Sequence, residues 1–185
     1  MKEIFFTLKQ RFMLARIGRE QRSRKPEPKN ISLSASKFIG LIFVLDDEEK
    51  YKSVLRLKKQ LEAEGKRVKV IAYVPTREVP DYYMAQLQMD IFSKKAVNLL
   101  GVPANEFAKD FVKEQFDLLI DLSLTEHLPL YYVAGFGNAT LRAGKYRPHL
   151  LSVYDFMIKA NDQMSFDEFI SAMMEYLALL NTSKP

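Results

Sequence analysis

Between Asp121 and His127 the chain sets a carboxylate, two hydroxyls, a second carboxylate and an imidazole close together, as Asp121, Ser123, Thr125, Glu126 and His127. Acid, hydroxyl and imidazole are the types a hydrolytic triad needs, with the hydroxyl as nucleophile, the imidazole as base and the acid orienting the base. Ser123 lacks a G-x-S-x-G elbow, and near neighbours on one loop seldom point at one another as proton transfer requires. The group is therefore read as side chains suited to holding a ligand, and no catalytic residue is assigned.

Further candidates lie on either side of this group. Asp46 and Asp47 follow an apolar run, where paired carboxylates can take a metal or a ribose, although side by side they suit the cap and acidic first turn of a helix better. Arg142 and Lys145 add cations near a later apolar run. The candidate ligand-binding set is Asp46, Asp121, Ser123, Thr125, His127, Arg142 and Lys145.

Metal and cofactor motifs are missing. The chain has no cysteine, and its two histidines, His127 and His149, form no H-E-x-x-H pattern, so neither a thiolate site nor a zincin site is expected. No glycine falls between Leu45 and the helix that follows, so backbone amides cannot close on a phosphate as in a G-x-G-x-x-G or Walker loop. No cofactor is assigned.

The elements that must position these residues can be read from periodicity. Phe38 to Leu45 is a short apolar run of the kind found in strands covered on both faces. A helix from Glu48 to about Glu64 turns Val54, Leu55, Leu57 and Leu61 inward and closes at Gly65. Val68 to Val74 is the next strand, and together they make a βαβ unit. Thr76 to Leu87 is irregular, Met89 to Phe92 is a third strand, and Asn105 to Gln115 is a helix with Phe107, Phe111 and Val112 inward.

Phe116 to Leu122 follows as the central strand, with Phe116, Leu118, Ile120 and Leu122 on one face and Asp117, Leu119, Asp121 and Ser123 on the other. An unpaired carboxylate within a covered strand is too costly to keep, so Asp121 must sit at the strand's exit or have a partner. Pro129 opens the next helix. That makes Ser123 to Leu128 a loop at the C-terminal edge of the sheet, where open α/β sheets bind ligands. A strand over Ala139 to Arg142, a last strand containing Tyr154 and Asp155 within Leu150 to Ile158, and a closing helix capped by Ser165 and Glu168 complete the pattern.

The 185 residues, 48% of them apolar, suit one core rather than two. The fold class expected is α/β: a three-layer Rossmann-like domain over residues 37–185, with a mostly parallel sheet of five or six strands. Residues 1–36 precede it as a basic amphipathic helical arm and a linker rich in Pro and Ser. Nine of the 28 Lys and Arg but only three of the 23 acids fall within residues 1–29, so the arm carries the positive charge and the body is close to neutral. Ile4, Phe5, Leu8, Phe12 and Ala15 can share one apolar face, widened by Phe6, Met13 and Ile17, with Arg16 and Arg19 beside it.

A short isolated helix is unstable in water, so something must cover Phe5, Leu8 and Phe12. The residues expected to meet a partner are Phe5, Leu8, Phe12, Arg16 and Arg19. The helix's own body, a second subunit of a homo-oligomer, another protein and an anionic membrane surface all fit. Nucleic acid fits less well, because no aromatic-basic motif is visible. The longest apolar run is far short of the roughly 20 residues of a membrane-spanning helix, and no secretory leader is recognisable. A cytoplasmic protein, with peripheral contact at the inner membrane surface as the variant, is the expectation.

The order of units ending in FDLLIDLS, GNATLRAG and YDFMIKAND resembles an uncharacterised family of small bacterial α/β proteins, over most of residues 1–180. FDLLIDLS, followed by a short helix and a strand ending in Arg142 and Gly144, is also similar to part of the N-terminal lobe of heptosyltransferase-like glycosyltransferases. The first resemblance implies a fold without an activity. The second implies a nucleotide-sugar lobe, from which the chain departs by lacking a glycine-rich turn and a second lobe. The function expected is a non-enzymatic interaction or binding module, the alternative being a small-molecule, nucleotide or nucleotide-sugar site at the sheet edge.

Overall fold

The computed structural model describes residues 2–23, 32–83, 89–161 and 163–180, and their side chains except at 2–6 and 23. Helix α1 (Lys2–Ser23) precedes β1 (Phe38–Val44), α2 (Glu48–Ala63), β2 (Arg67–Val74) and β3 (Met89–Ser93). Then come α3 (Glu106–Lys113), β4 (Gln115–Asp121), α4 (Leu128–Phe136), β5 (Asn138–Lys145), β6 (Phe156–Ile158) and α5 (Phe166–Leu179). The six strands form one all-parallel sheet in the order β3-β2-β1-β4-β5-β6, a doubly wound Rossmann-like arrangement whose direction reverses between β1 and β4.

Local chemistry sets the helix ends. Asp47 caps α2 by accepting from Lys50 N–H at 3.0 Å, with Glu48 and Glu49 in the first turn. Gly65, at φ 78°, supplies the left-handed residue just beyond that helix. Ser165 and Glu168 complete a reciprocal capping box on α5.

The sheet is covered on both faces. On one, Ile39, Leu41, Leu118 and Ile120 pack under α2 and α5, whose Val54, Leu61, Phe169 and Met173 are fully enclosed. On the other, Ile42, Ile71 and Leu119 pack under α3 and α4. Helix α4 is buried along nearly its whole length because α1 covers its outer side, through Met13 and Ile17. Gly135 permits the close approach: a Cβ there would lie 2.5 Å from Ile17 Cδ1, 2.6 Å from Cγ1 and 2.7 Å from Cγ2.

Several expectations change at this level. Phe116 does not share the face of Leu118 and Ile120. It packs on Phe38 and Phe111, at ring-centroid distances of 4.7 and 4.9 Å, on the opposite side of the sheet. Asp117 meanwhile accepts the amide protons of Lys37 and Phe38, so regular alternation starts only at Leu118. Phe107 is exposed, and Ala108 shares the buried side of α3 with Phe111. Strand β5 is longer than expected, while Tyr154 and Asp155 precede the three-residue β6 instead of lying within it. The end of the expected linker is packed: Ser32 and Ser36 are buried, and Leu33 N–H bonds Leu177 O.

The inward face of α1 is also not the expected one. Met13 and Ile17 are enclosed, whereas Leu8, Phe12 and Ala15 face outward. The sequence had enough apolar residues for two faces of one helix, and the body takes the narrower pair.

Candidate functional site

The C-terminal ends of β1 and β4 bring two loops side by side at the reversal of strand order, the position at which open α/β sheets form ligand crevices. Asp46 and Asp47 stand on one loop, and Ser123 to His127 on the other. Asp46 pairs with Lys50 at 2.6 Å. Among the described residues, no group of His, Asp and Glu suits a metal ion.

Asp121 ends β4 and is buried. One of its carboxylate oxygens accepts from Ser123 N–H at 2.8 Å, and the other accepts from the Tyr154 hydroxyl. Burial pushes its pKa up, opposed by these hydrogen bonds and by the charge of Arg147. Burial also pushes the Tyr154 phenol well above its ordinary value, with the Asp121 carboxylate adding to the shift. The expected requirement for a partner is thus met by a tyrosine 33 residues away, and a carboxylate so enclosed is closed to solvent.

Arg147 holds the loop after β4. Its Nη2 donates to Leu124 O at 2.8 Å and Ser123 O at 3.4 Å, and its Nε lies 3.3 Å from Glu126 Oε1. The other Glu126 oxygen accepts from Gln10 Nε2 of α1 at 3.0 Å and lies 3.3 Å from His149 Nε2. Lys145 Nζ reaches Leu124 O at 3.4 Å. The loop is therefore tied to the arm and to the segment after β5 by the protein's own side chains.

His127 precedes α4 and is half-buried, with its ring 5.3 Å from that of Tyr73 and its Nε2 3.2 Å from Thr125 Oγ1. Burial lowers its pKa, with Asp46 pulling the other way. Among the described residues the buried Ser123 hydroxyl makes no hydrogen bond to His127, whose Nε2 faces Thr125 instead, so Ser123 is not coupled to the imidazole as nucleophile to base.

Of the candidate ligand set, Asp46, Thr125 and His127 come together at the edge. Asp121 and Ser123 lie beneath them, and Lys145 sits beside the loop. Arg142 does not join them: it is buried, pairs with Asp155 at 3.4 Å and donates to Gly137 O at 3.1 Å, toward the start of β5. Tyr154, Arg147, Gln10 and His149 complete the arrangement, and no spacing in the sequence marked them. The one available signal was the need of Asp121 for a partner.

The second candidate surface is the outer side of α1. Leu8 is 64% and Phe12 50% exposed, and Arg11, Arg16, Arg19 and Arg22 are exposed around them. The Arg16 guanidinium stands 6.0 Å from the centre of the Phe12 ring and 5.5 Å from that of Phe136 on α4. The side chain of Phe5 lies outside the described residues.

A comparison with curated proteins found no match. The model of the DUF6913 family, described as a family of unknown function, matches residues 9–180. That span takes in every strand of the sheet and the helices around it, and the chain belongs to this family of unknown function.

Proposed function

We propose that this protein is a non-enzymatic interaction module that docks on a negatively charged partner surface through the outer side of α1. The observation carrying this reading is the exposure of Leu8 and Phe12 amid four arginines, on a helix whose other side is already seated on the body. Large apolar side chains held outward on an anchored helix cannot relax inward, and cations around them favour an anionic counterpart.

The small-molecule reading draws less support. Asp46, Asp47, Glu48 and Glu49 crowd the edge where a phosphate would have to approach, and Asp47 already occupies an amide at the start of α2. Asp121 and Arg147 are engaged internally.

The test uses the full chain and a charge-reversed variant, R11E/R16E/R19E, against three anionic probes: phosphatidylglycerol vesicles, polyglutamate and duplex DNA. Salt-sensitive binding to at least one probe, lost in the variant, is the expected result. Binding to none of them, or equal binding by the variant, would overturn the reading.

A further inference from the structure

The docking face can be assigned a more definite counterpart. Among the described residues, Arg11, Arg16 and Arg19 have no carboxylate within ion-pair distance, and Arg22 donates to the Gly18 carbonyl. Several acids of the body are in the opposite condition. Asp46, Glu49, Glu62, Glu106, Asp110 and Glu114 each pair with a lysine of the same chain. On a second copy, these paired acids of α2 and α3 would meet the arginines with their charge already compensated.

The apolar content also argues against a protein socket. Leu8 and Phe12, one helical turn apart, are ringed by exposed arginines, whereas the centre of a stable protein interface is depleted in charge. Leu and Phe outward on a helix lying flat, with arginines along the same side, is the layout that partitions into the headgroup region of a bilayer. The face continues on both flanks: Phe136 stands beyond Arg16, and an open groove lined by Leu14, Ala15, Gly18 and Ser152 runs along the other side, near the exposed Leu151. No helix among the described residues is long and apolar enough to cross a membrane, so the contact is peripheral.

We infer that the docked surface is an anionic phospholipid bilayer, with Leu8 and Phe12 entering the interface and Arg11, Arg16, Arg19 and Arg22 meeting the phosphates. This rests on the docking reading above and names its partner. Met13 and Ile17 keep the opposite side of the helix on α4, so the sheet domain rides on the bilayer with α1 between them.

The chain has no tryptophan, which makes Phe12→Trp a single reporter at the centre of the face. Its emission should shift to the blue with mixed phosphatidylglycerol and phosphatidylcholine vesicles and be quenched by brominated acyl chains, with no change for phosphatidylcholine alone. A separate L8S/F12S variant keeps every arginine. Its vesicle partition should fall by about tenfold or more, as expected when two large apolar side chains stop being buried, while any binding to polyglutamate stays as it was. Both positions are exposed, and an unaltered circular dichroism spectrum confirms that the variants fold.

Absence of the blue shift, equal binding to neutral vesicles, or undiminished vesicle binding by L8S/F12S would each overturn the bilayer assignment. Salt-sensitive binding to polyglutamate or DNA without binding to vesicles would overturn it too, while leaving the docking reading standing.

Discussion

Substituting Ile17 and Gly135 together tests whether α1 is truly part of the fold. Ile17 is fully buried, and the three atoms that a Cβ at residue 135 would meet are its Cγ1, Cγ2 and Cδ1. Ile17→Ala removes those three atoms, and a buried truncation of this size costs about 2–5 kcal/mol. Gly135→Ala alone should gain up to about 1 kcal/mol of helix propensity but incur about 1–3 kcal/mol of overpacking against Ile17. In the double variant the new methyl enters the space that Ile17 vacated, so the combined loss should be smaller than the sum by about 1 kcal/mol or more.

Urea unfolding followed by far-ultraviolet circular dichroism measures all three variants, and an unchanged m value would show that the same surface is being exposed. Losses that add to within about 0.5 kcal/mol would refute close packing between the two helices. So would a Gly135→Ala variant more stable than the parent.

Two pH experiments test the sheet edge. The folded-state pKa of Asp121 is raised, so between its unfolded and folded values the native state holds a proton that the unfolded chain has released. The stability it contributes is present below the ordinary carboxylate range and is lost as pH rises through the folded value. Asp121→Asn keeps partners for Tyr154 and Ser123 and should remove that decline; parallel stability curves for the two proteins would contradict the assignment. For His127 the folded pKa is lowered, so its contribution is present above about 6.5 and is lost as pH falls through the folded value. Proton NMR should give a His127 midpoint below 6.5, and a midpoint at or above that value would rule out the burial described.

Much of the fold was legible because its signals are local. The apolar runs of β1, β2 and β4, the Asp47 cap, Gly65 and the Ser165 capping box all lie within a few residues of the elements they define. Predominantly apolar runs separated by helices already implied a parallel sheet covered on both faces. The candidate site was less legible. Asp46, Thr125 and His127 could be placed at the strand ends from chain order, whereas Arg142 could not be separated from them. Its direction depends on Gly137 and Asp155, which meet it only when β5 is folded beside its neighbours.

Residue order alone was enough for the α/β class, the position of the edge loop after β4, and the concentration of basic residues within 1–29. These follow from periodicity, capping and charge order, which act between near neighbours. Tertiary structure alone decided that Tyr154 would serve as the partner of Asp121, that Arg147 and Glu126 would tie the loop to the arm, and which side of α1 would stay outside. Those outcomes depend on groups far apart in the chain: Glu126 meets Gln10 across 116 residues, and Ile17 can approach α4 because residue 135 has no side chain. A helix with apolar residues on two sides has no local reason to prefer either. The shape of the surface it lands on makes the choice, and here it leaves Leu8 and Phe12 facing outward.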